Sequence, residues 1–247
     1  MKKILSIVGI AAMAIGLHAV EEIKTLVDSK NYSTIAAKAD DFIEKAKKSE
    51  NPGVKSSVLH ALIRARNSIG AYKSSTEAIA DLESLIKEIG YGPKDSPWAR
   101  IYIYERFSEY DKALAVPATD PSSKLRRSCV LAALKRYEEA ADTAFAIGKP
   151  AGVLAAVKYI RLAKAPEKLY NYILTGFSTG SIKQAGDVKE LVGLILETDF
   201  SGTSITDAKI KTLLQTANRR YSRNLKPGVV TAWDETIQMI RQTLETY

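Results

Sequence analysis

The chain has 247 residues, 46% hydrophobic and 26% charged, a balance that excludes a disordered chain and fits one sizeable domain or two small ones. A formal net charge of +8 makes it basic. A single cysteine excludes an internal disulfide, and since His18 falls in the apolar N-terminal stretch that reads as a signal, His60 is the one histidine of the expected mature chain and a multi-histidine metal site within it is excluded.

Met1 to Ala19 opens with Lys2 and Lys3, continues as an uncharged apolar run from Ile4 to Leu17, and ends on small Ala19 before Val20-Glu21-Glu22. That is the pattern of a secretory signal peptide cut after Ala19, although Leu17 is less suited than Ala to its place before the cut. A membrane-spanning helix needs ~20 apolar residues, and this run is shorter. Retention as an uncleaved anchor is the alternative. No cysteine follows the run, so lipid attachment is not indicated. The expectation is a bacterial periplasmic or secreted protein with no stable transmembrane span after cleavage. Cleavage leaves 34 basic and 28 acidic residues, a net +6. For an exported chain nucleic acid is not an expected partner. The excess points to an anionic envelope polymer, a lipid surface or an acidic protein, against the plain alternative of a solvated basic surface.

Runs of period-two alternation are scarce, and segments rich in Ala, Leu, Ile, Glu and Lys dominate. The spacing predicts helices from Val20 to Lys30 and from Tyr32 to Lys48, the latter through Ile35, Phe42, Ile43 and Ala46. Glu50-Asn51-Pro52-Gly53 reads as a turn and Val54 to Ile69 as a helix ended by Gly70. Ser74 or Ser75 caps a helix from Thr76 to Ile89, stopped by Gly90-Tyr91-Gly92-Pro93. Ser96-Pro97 starts Trp98 to Phe107, and Tyr110 to Val116 closes at Pro117. Ser122 to Pro150 reads as two short helices joined at Lys135-Arg136, the second halted by Gly148 and Pro150. Ala151 to Ala163 and Glu167 to Leu174 follow, with Thr175 to Ser181 as a loop. Asp187 to Leu196 is helical. Ser204 with Asp207 resembles a capping box opening a helix to about Asn224, and Pro227 starts the last helix.

About a dozen short helices with frequent turns predict an all-α chain of stacked antiparallel helix pairs. Each pair is too small to bury its apolar faces alone and needs a similar neighbour. Tyr110-Asp111-Lys112-Ala113-Leu114 and Tyr137-Glu138-Glu139-Ala140-Ala141 share a start: an aromatic, two charged residues, then small ones. Thr76-Glu77-Ala78-Ile79 keeps part of it. The small residue lets two helices approach, the aromatic covers the hairpin corner, and the charges face water. This segment resembles the opening of the second helix in the tetratricopeptide repeat family, over roughly residues 30 to 175. The units are degenerate. Tyr110 to Tyr137 spans 27 residues and Ala78 to Ala113 spans 35, against about 34 for the family. The resemblance implies an α-α superhelix, a tetratricopeptide-like solenoid over residues 20–180, with a C-terminal helical cap or subdomain over 181–247. It also implies a scaffold for protein–protein contacts.

No residue set selects a catalytic centre, and no cofactor or metal is expected. Cys129, among Val130, Leu131 and Ala132, reads as a buried thiol rather than a nucleophile. His60 reads as a packed or surface histidine. Asp40-Asp41 and Glu138-Glu139 are neighbours on a helix and do not share a site. Two clusters are candidates for partner binding. Trp98, Tyr102, Tyr104, Phe107 and Tyr110 concentrate aromatics, and Tyr102 and Tyr104 point about 200° apart on a helix, so one of them is free to face a groove. Ordinary core packing is the alternative. Arg219, Arg220 and Arg223 form one helix edge, with Lys226 beyond it and Lys124, Arg126 and Arg127 earlier in the chain. The edge suits an anionic polymer or acidic partner, and a solvated face is the alternative. The scaffold reading stands against two others: a glycan-associated α-superhelical domain of a cell-wall enzyme system, and a purely structural envelope component.

Overall fold

Prolines and small polar residues set where the helices begin. The structure, a computed structural model, describes residues 20–91 and 96–247. The expected signal segment and the Gly92-Pro93 stop lie outside those residues. The chain divides into two compact units between Thr119 and Asp120. The first holds α1 (20–28), α2 (Tyr32–Ala37), α3 (Ala39–Lys48), α4 (Pro52–Ser68), α5 (Ser75–Ile89), α6 (Pro97–Arg106) and α7 (Tyr110–Ala115). The second holds α8 (Pro121–Ala133), α9 (Tyr137–Phe145), α10 (Pro150–Leu162), α11 (Pro166–Thr179), α12 (Ala185–Glu197), α13 (Asp207–Tyr221), a 3-10 turn (Ser222–Asn224) and α14 (Ala232–Thr246). Among the described residues there is no strand, only an isolated antiparallel bridge between Lys226 and Val229. The protein is all-α, and helices adjacent in sequence pack on one another.

Pro52, Pro97, Pro121, Pro150 and Pro166 each sit at the start of a helix. There the missing N–H costs nothing, because no carbonyl precedes it to bond. Asn51 accepts from the Gly53 N–H at 2.8 Å, and Asp120 accepts from the N–H groups of Ser122 and Ser123 at 2.9 and 3.0 Å. Such caps are worth about 1 kcal/mol each.

One corner recurs within each unit. Lys30, Ser108, Lys135 and Lys164 all hold φ between 55° and 60°. The next residue's N–H then reaches back to a carbonyl of the helix just ended: Asn31 to Leu26 at 2.8 Å, Glu109 to Tyr104 at 2.8 Å, Arg136 to Leu131 at 2.9 Å, and Ala165 to Ile160 at 3.4 Å. This satisfies helix-end carbonyls that would otherwise lack a donor. One residue later a new helix opens on Tyr32, Tyr110, Tyr137 or Pro166.

In the first unit Ile35, Phe42, Leu59, Leu62, Ile63, Leu82, Ile89 and Ile103 are fully buried in one cluster. In the second, Ala140, Ala141 and Ala144 are fully buried where α9 lies between α8 and α10. Their small side chains allow the close approach read from the sequence. Burying a Leu or Ile side chain is worth about 1.5–3 kcal/mol, so the hairpins are held by these faces more than by helix propensity.

Several expected boundaries move. The helix expected from Tyr32 to Lys48 breaks at Lys38, whose ψ is 15°. Asn51-Pro52-Gly53 is a helix start, not a turn, because Asn51 caps it. The loop expected over Thr175 to Ser181 is mostly helix: α11 runs to Thr179, and Gly180 ends it with φ +64°. Gly176 faces a neighbour closely, since a Cβ there would stand 3.1 Å from Val153 Cγ1. Gly176 thus serves helix packing, and Gly180 makes the turn. Ser204 makes no capping box with Asp207; its N–H goes to Glu167 Oε1 at 2.6 Å, and Thr206 precedes α13. Pro227 starts no helix. Lys226-Pro227-Gly228-Val229 closes as a turn through the Val229 N–H to Lys226 O at 3.2 Å, with Gly228 at φ +74°. The last helix begins after Thr231, which forms a capping box with Asp234. The division expected near residue 180 falls inside the second unit, where α11 and α13 pack across it: Tyr170 Oη donates to Lys209 O at 3.0 Å.

Candidate functional site

The aromatic cluster of the first unit splits into two roles. Trp98 and Tyr102 sit one turn apart on α6, and their rings stack at 5.2 Å between centroids with 6° between planes. His60 of α4 lies 4.3 Å from Trp98, and its Nε2 is 3.0 Å from Ser96 Oγ. Tyr102 is buried. These rings hold α6 onto α4, and His60 is a packed histidine.

Tyr104 points the other way and is half-buried. With Arg100, Lys112, Ala115, Val116 and Pro117 it lines a cleft of about 380 Å³. Lys112 Nζ stands 5.8 Å from the Tyr104 ring centroid, within reach of a cation–π attraction. Lys112 also pairs with Glu109 at 2.7 Å. That bond holds the Lys112 ammonium above its ordinary pKa and the Glu109 carboxyl below its own. Arg100 reaches Glu83 at 3.0 Å. The cleft therefore offers an aromatic wall flanked by cations whose positions are set by ion pairs.

The basic edge also splits. Arg219 is exposed and does not line a cleft with its neighbours. Arg220 and Arg223 line a cleft of about 330 Å³ with Gly180, Ile182, Lys183, Tyr221 and Asn224. Arg220 donates from Nη2 to Thr179 O at 3.2 Å and lies against Gly180, where a Cβ would stand 2.2 Å from its Nη2. Tyr221 is buried, edge-on to Phe177 at 5.8 Å and stacked on Trp233 at 5.3 Å. Burial pushes its hydroxyl up to about 12, with Arg220 pulling weakly the other way. Lys124, Arg126 and Arg127 belong to α8 and are not part of this cleft; Lys226 lies on the exposed turn before α14.

Sequence reasoning missed Lys183, Tyr221 and Asn224, because the loop expected over 175–181 hid the contact between the end of α11 and the end of α13. The helical stripe that contained Tyr221 marked it only as core. Cys129 is half-buried rather than buried, and its Sγ receives a hydrogen bond from Tyr159 Oη at 3.5 Å.

Two polar networks brace the units. Arg66 Nη1 donates to both carboxylate oxygens of Asp81 at 2.6 Å, and Tyr72 Oη donates to Asp81 as well. In the second unit Tyr172 Oη donates to Asp142, which also pairs with Lys168 at 3.2 Å. Burial, then the neighbouring carboxylate, pushes both tyrosine hydroxyls well above their usual range. A further cleft of about 360 Å³ sets Arg161 and Lys164 against Glu197 and Asp199 over Ile160 and Leu169.

Among the described residues no group of three or more His, Cys, Asp or Glu side chains is placed to hold a metal ion, and no helix is long and apolar enough to cross a membrane. Comparison with family models, with curated proteins and with solved structures returned no match.

Proposed function

We propose that this chain is a tetratricopeptide-like scaffold of stacked helix hairpins, exported to the bacterial envelope, that holds a protein or peptide partner. The repeated helix–corner–helix geometry at Lys30, Ser108, Lys135 and Lys164 supports the repeat reading. The observation that carries the binding role is Tyr104. Its neighbour Tyr102 is committed to the core, whereas Tyr104 stands half-exposed in a cleft between Arg100 and Lys112. An aromatic body with a polar tip, flanked by cations, suits an extended peptide carrying an acidic or aromatic side chain.

The test is affinity purification from the native envelope with wild type and Tyr104→Ala side by side, followed by mass spectrometry. Loss of a partner from Tyr104→Ala, with unchanged helical circular dichroism, supports the reading. Equal recovery of the same partners from both proteins removes the cleft from the account. Tyr102→Ala is not a useful probe of binding, since truncating a buried aromatic costs about 3–5 kcal/mol of stability.

A further inference from the structure

The cleft at the end of α11 and α13 has features that a solvated basic edge does not need. Three cationic side chains, Lys183, Arg220 and Arg223, line one space of about 330 Å³, and no acidic residue is among the residues lining it. Like charges gathered without a counter-charge repel, so a bound anion would be stabilised there. One of the three is fixed in advance. Arg220 is held by its bond to Thr179 O and by its contact with Gly180, whose missing Cβ makes room for the guanidinium.

The independent observation is Tyr221. It is 3% exposed, and its Oη is buried with no hydrogen-bond partner in the protein. A buried hydroxyl left without an acceptor is costly, and folded proteins rarely keep one. Tyr221 is itself one of the residues lining the cleft, next in the chain to Arg220. An acceptor oxygen bound beside Arg220 would satisfy it.

We propose that this cleft binds a phosphoryl group, with Lys183, Arg220 and Arg223 supplying charge and Tyr221 Oη and the Asn224 amide supplying directed hydrogen bonds. Three cations suit a dianion better than a monoanionic carboxylate. Arginine forks match the oxygen geometry of a phosphate, and charge-assisted hydrogen bonds of this kind are among the stronger ones. The same chemistry serves free phosphate and a phosphomonoester lipid headgroup. The site lies wholly within the second unit and stands or falls apart from the Tyr104 cleft.

The experiment titrates the full-length protein with inorganic phosphate at low ionic strength, following the Trp233 indole resonance by NMR, with acetate as the monoanion control. Saturable phosphate binding with Kd below about 1 mM, and weaker binding of acetate, is expected. Tyr221→Phe keeps the ring stacking and removes only the hydroxyl. It should leave the melting temperature unchanged or raised and weaken phosphate binding about tenfold. Arg223→Gln, at an exposed position, should weaken it comparably. A parallel arm uses phosphatidylcholine vesicles with and without phosphatidic acid. Binding to the phosphatidic acid vesicles that is lost in Tyr221→Phe assigns the site to a lipid headgroup, and phosphate binding without it assigns a soluble ligand. Absence of saturable phosphate binding, equal affinity for acetate, or affinity unchanged in both Tyr221→Phe and Arg223→Gln would overturn the proposal.

Discussion

Gly152 lies on α10, and a Cβ added there would stand 2.5 Å from the Ala144 carbonyl oxygen and 2.8 Å from Ile147 Cβ. Gly193 lies on α12 with nothing within 4 Å of its notional Cβ. Helix propensity alone favours alanine over glycine at either place by about 1 kcal/mol. At Gly193 nothing opposes that gain, so Gly193→Ala should stabilise the protein by about 0.5–1 kcal/mol. At Gly152 the clash involves backbone that cannot swing aside, and overpacking costs about 1–3 kcal/mol. Gly152→Ala should therefore destabilise, reversing the sign. Urea midpoints of the two variants check this directly. A stabilised Gly152→Ala protein would mean that α9 and α10 separate more easily than their buried alanines imply.

At the scale of the element, the informative feature is the corner with a left-handed residue that is not glycine. Lys135 at φ 60° carries a side chain where L-residues are disfavoured by about 1–2 kcal/mol. Glycine would remove that strain and add about 0.4–1 kcal/mol of entropy to the unfolded chain. The strain term is the larger, so Lys135→Gly should raise stability by about 0.5 kcal/mol, read as a higher denaturant midpoint at constant m-value. A lowered midpoint would show that the corner is held by something other than its backbone. The corners also show what was legible in the sequence. Tyr110-Asp111-Lys112-Ala113 and Tyr137-Glu138-Glu139-Ala140 announced two of the four, because the aromatic and small residues are required where the second helix opens. The others keep only a fragment of that word, the aromatic Tyr32 after Lys30 and the charged pair Glu167-Lys168 after Lys164. There the backbone repeats the geometry while the side chains differ. The misread stretches share one cause: Pro227-Gly228 and Gly176 have several structural uses, and only tertiary contacts choose among them. Arg220 and Arg223 were legible as a basic edge. Their joining with Lys183 and Tyr221 depended on the end of α11, whose glycines concealed the helix.

For the whole molecule, the charges that respond to pH fall into two groups of opposite sign. Several carboxyls are held low. A hydrogen bond from Lys38 lowers Glu22, and bonds from Thr231 lower Asp234. Burial alone would raise Asp120, but the hydroxyl of Ser123 and the N–H groups of Ser123 and Ser122 outweigh it. A carboxyl lowered in the folded state stabilises it above the unfolded value, near 4, and loses that contribution as pH falls through the folded one. The hydroxyls of Tyr72 and Tyr172 are raised, first by burial and then by Asp81 and Asp142. Their contribution is complete below about 10, the unfolded value, and is lost as pH rises beyond it. Exposed lysines such as Lys47 and Lys112 are also raised by their acidic partners, but water and salt screen those pairs. Stability should thus be level from about pH 5 to 9, fall below about 4, and fall again above about 10. The alkaline limb belongs to the two tyrosine–aspartate contacts together with Tyr221, whose hydroxyl burial also raises. Combining Tyr72→Phe with Tyr172→Phe should make it shallower while lowering the plateau, because each aspartate loses a donor. Urea midpoints measured across this range would decide the point: an alkaline limb of unchanged steepness in the double variant would assign it to Tyr221 and the lysines instead.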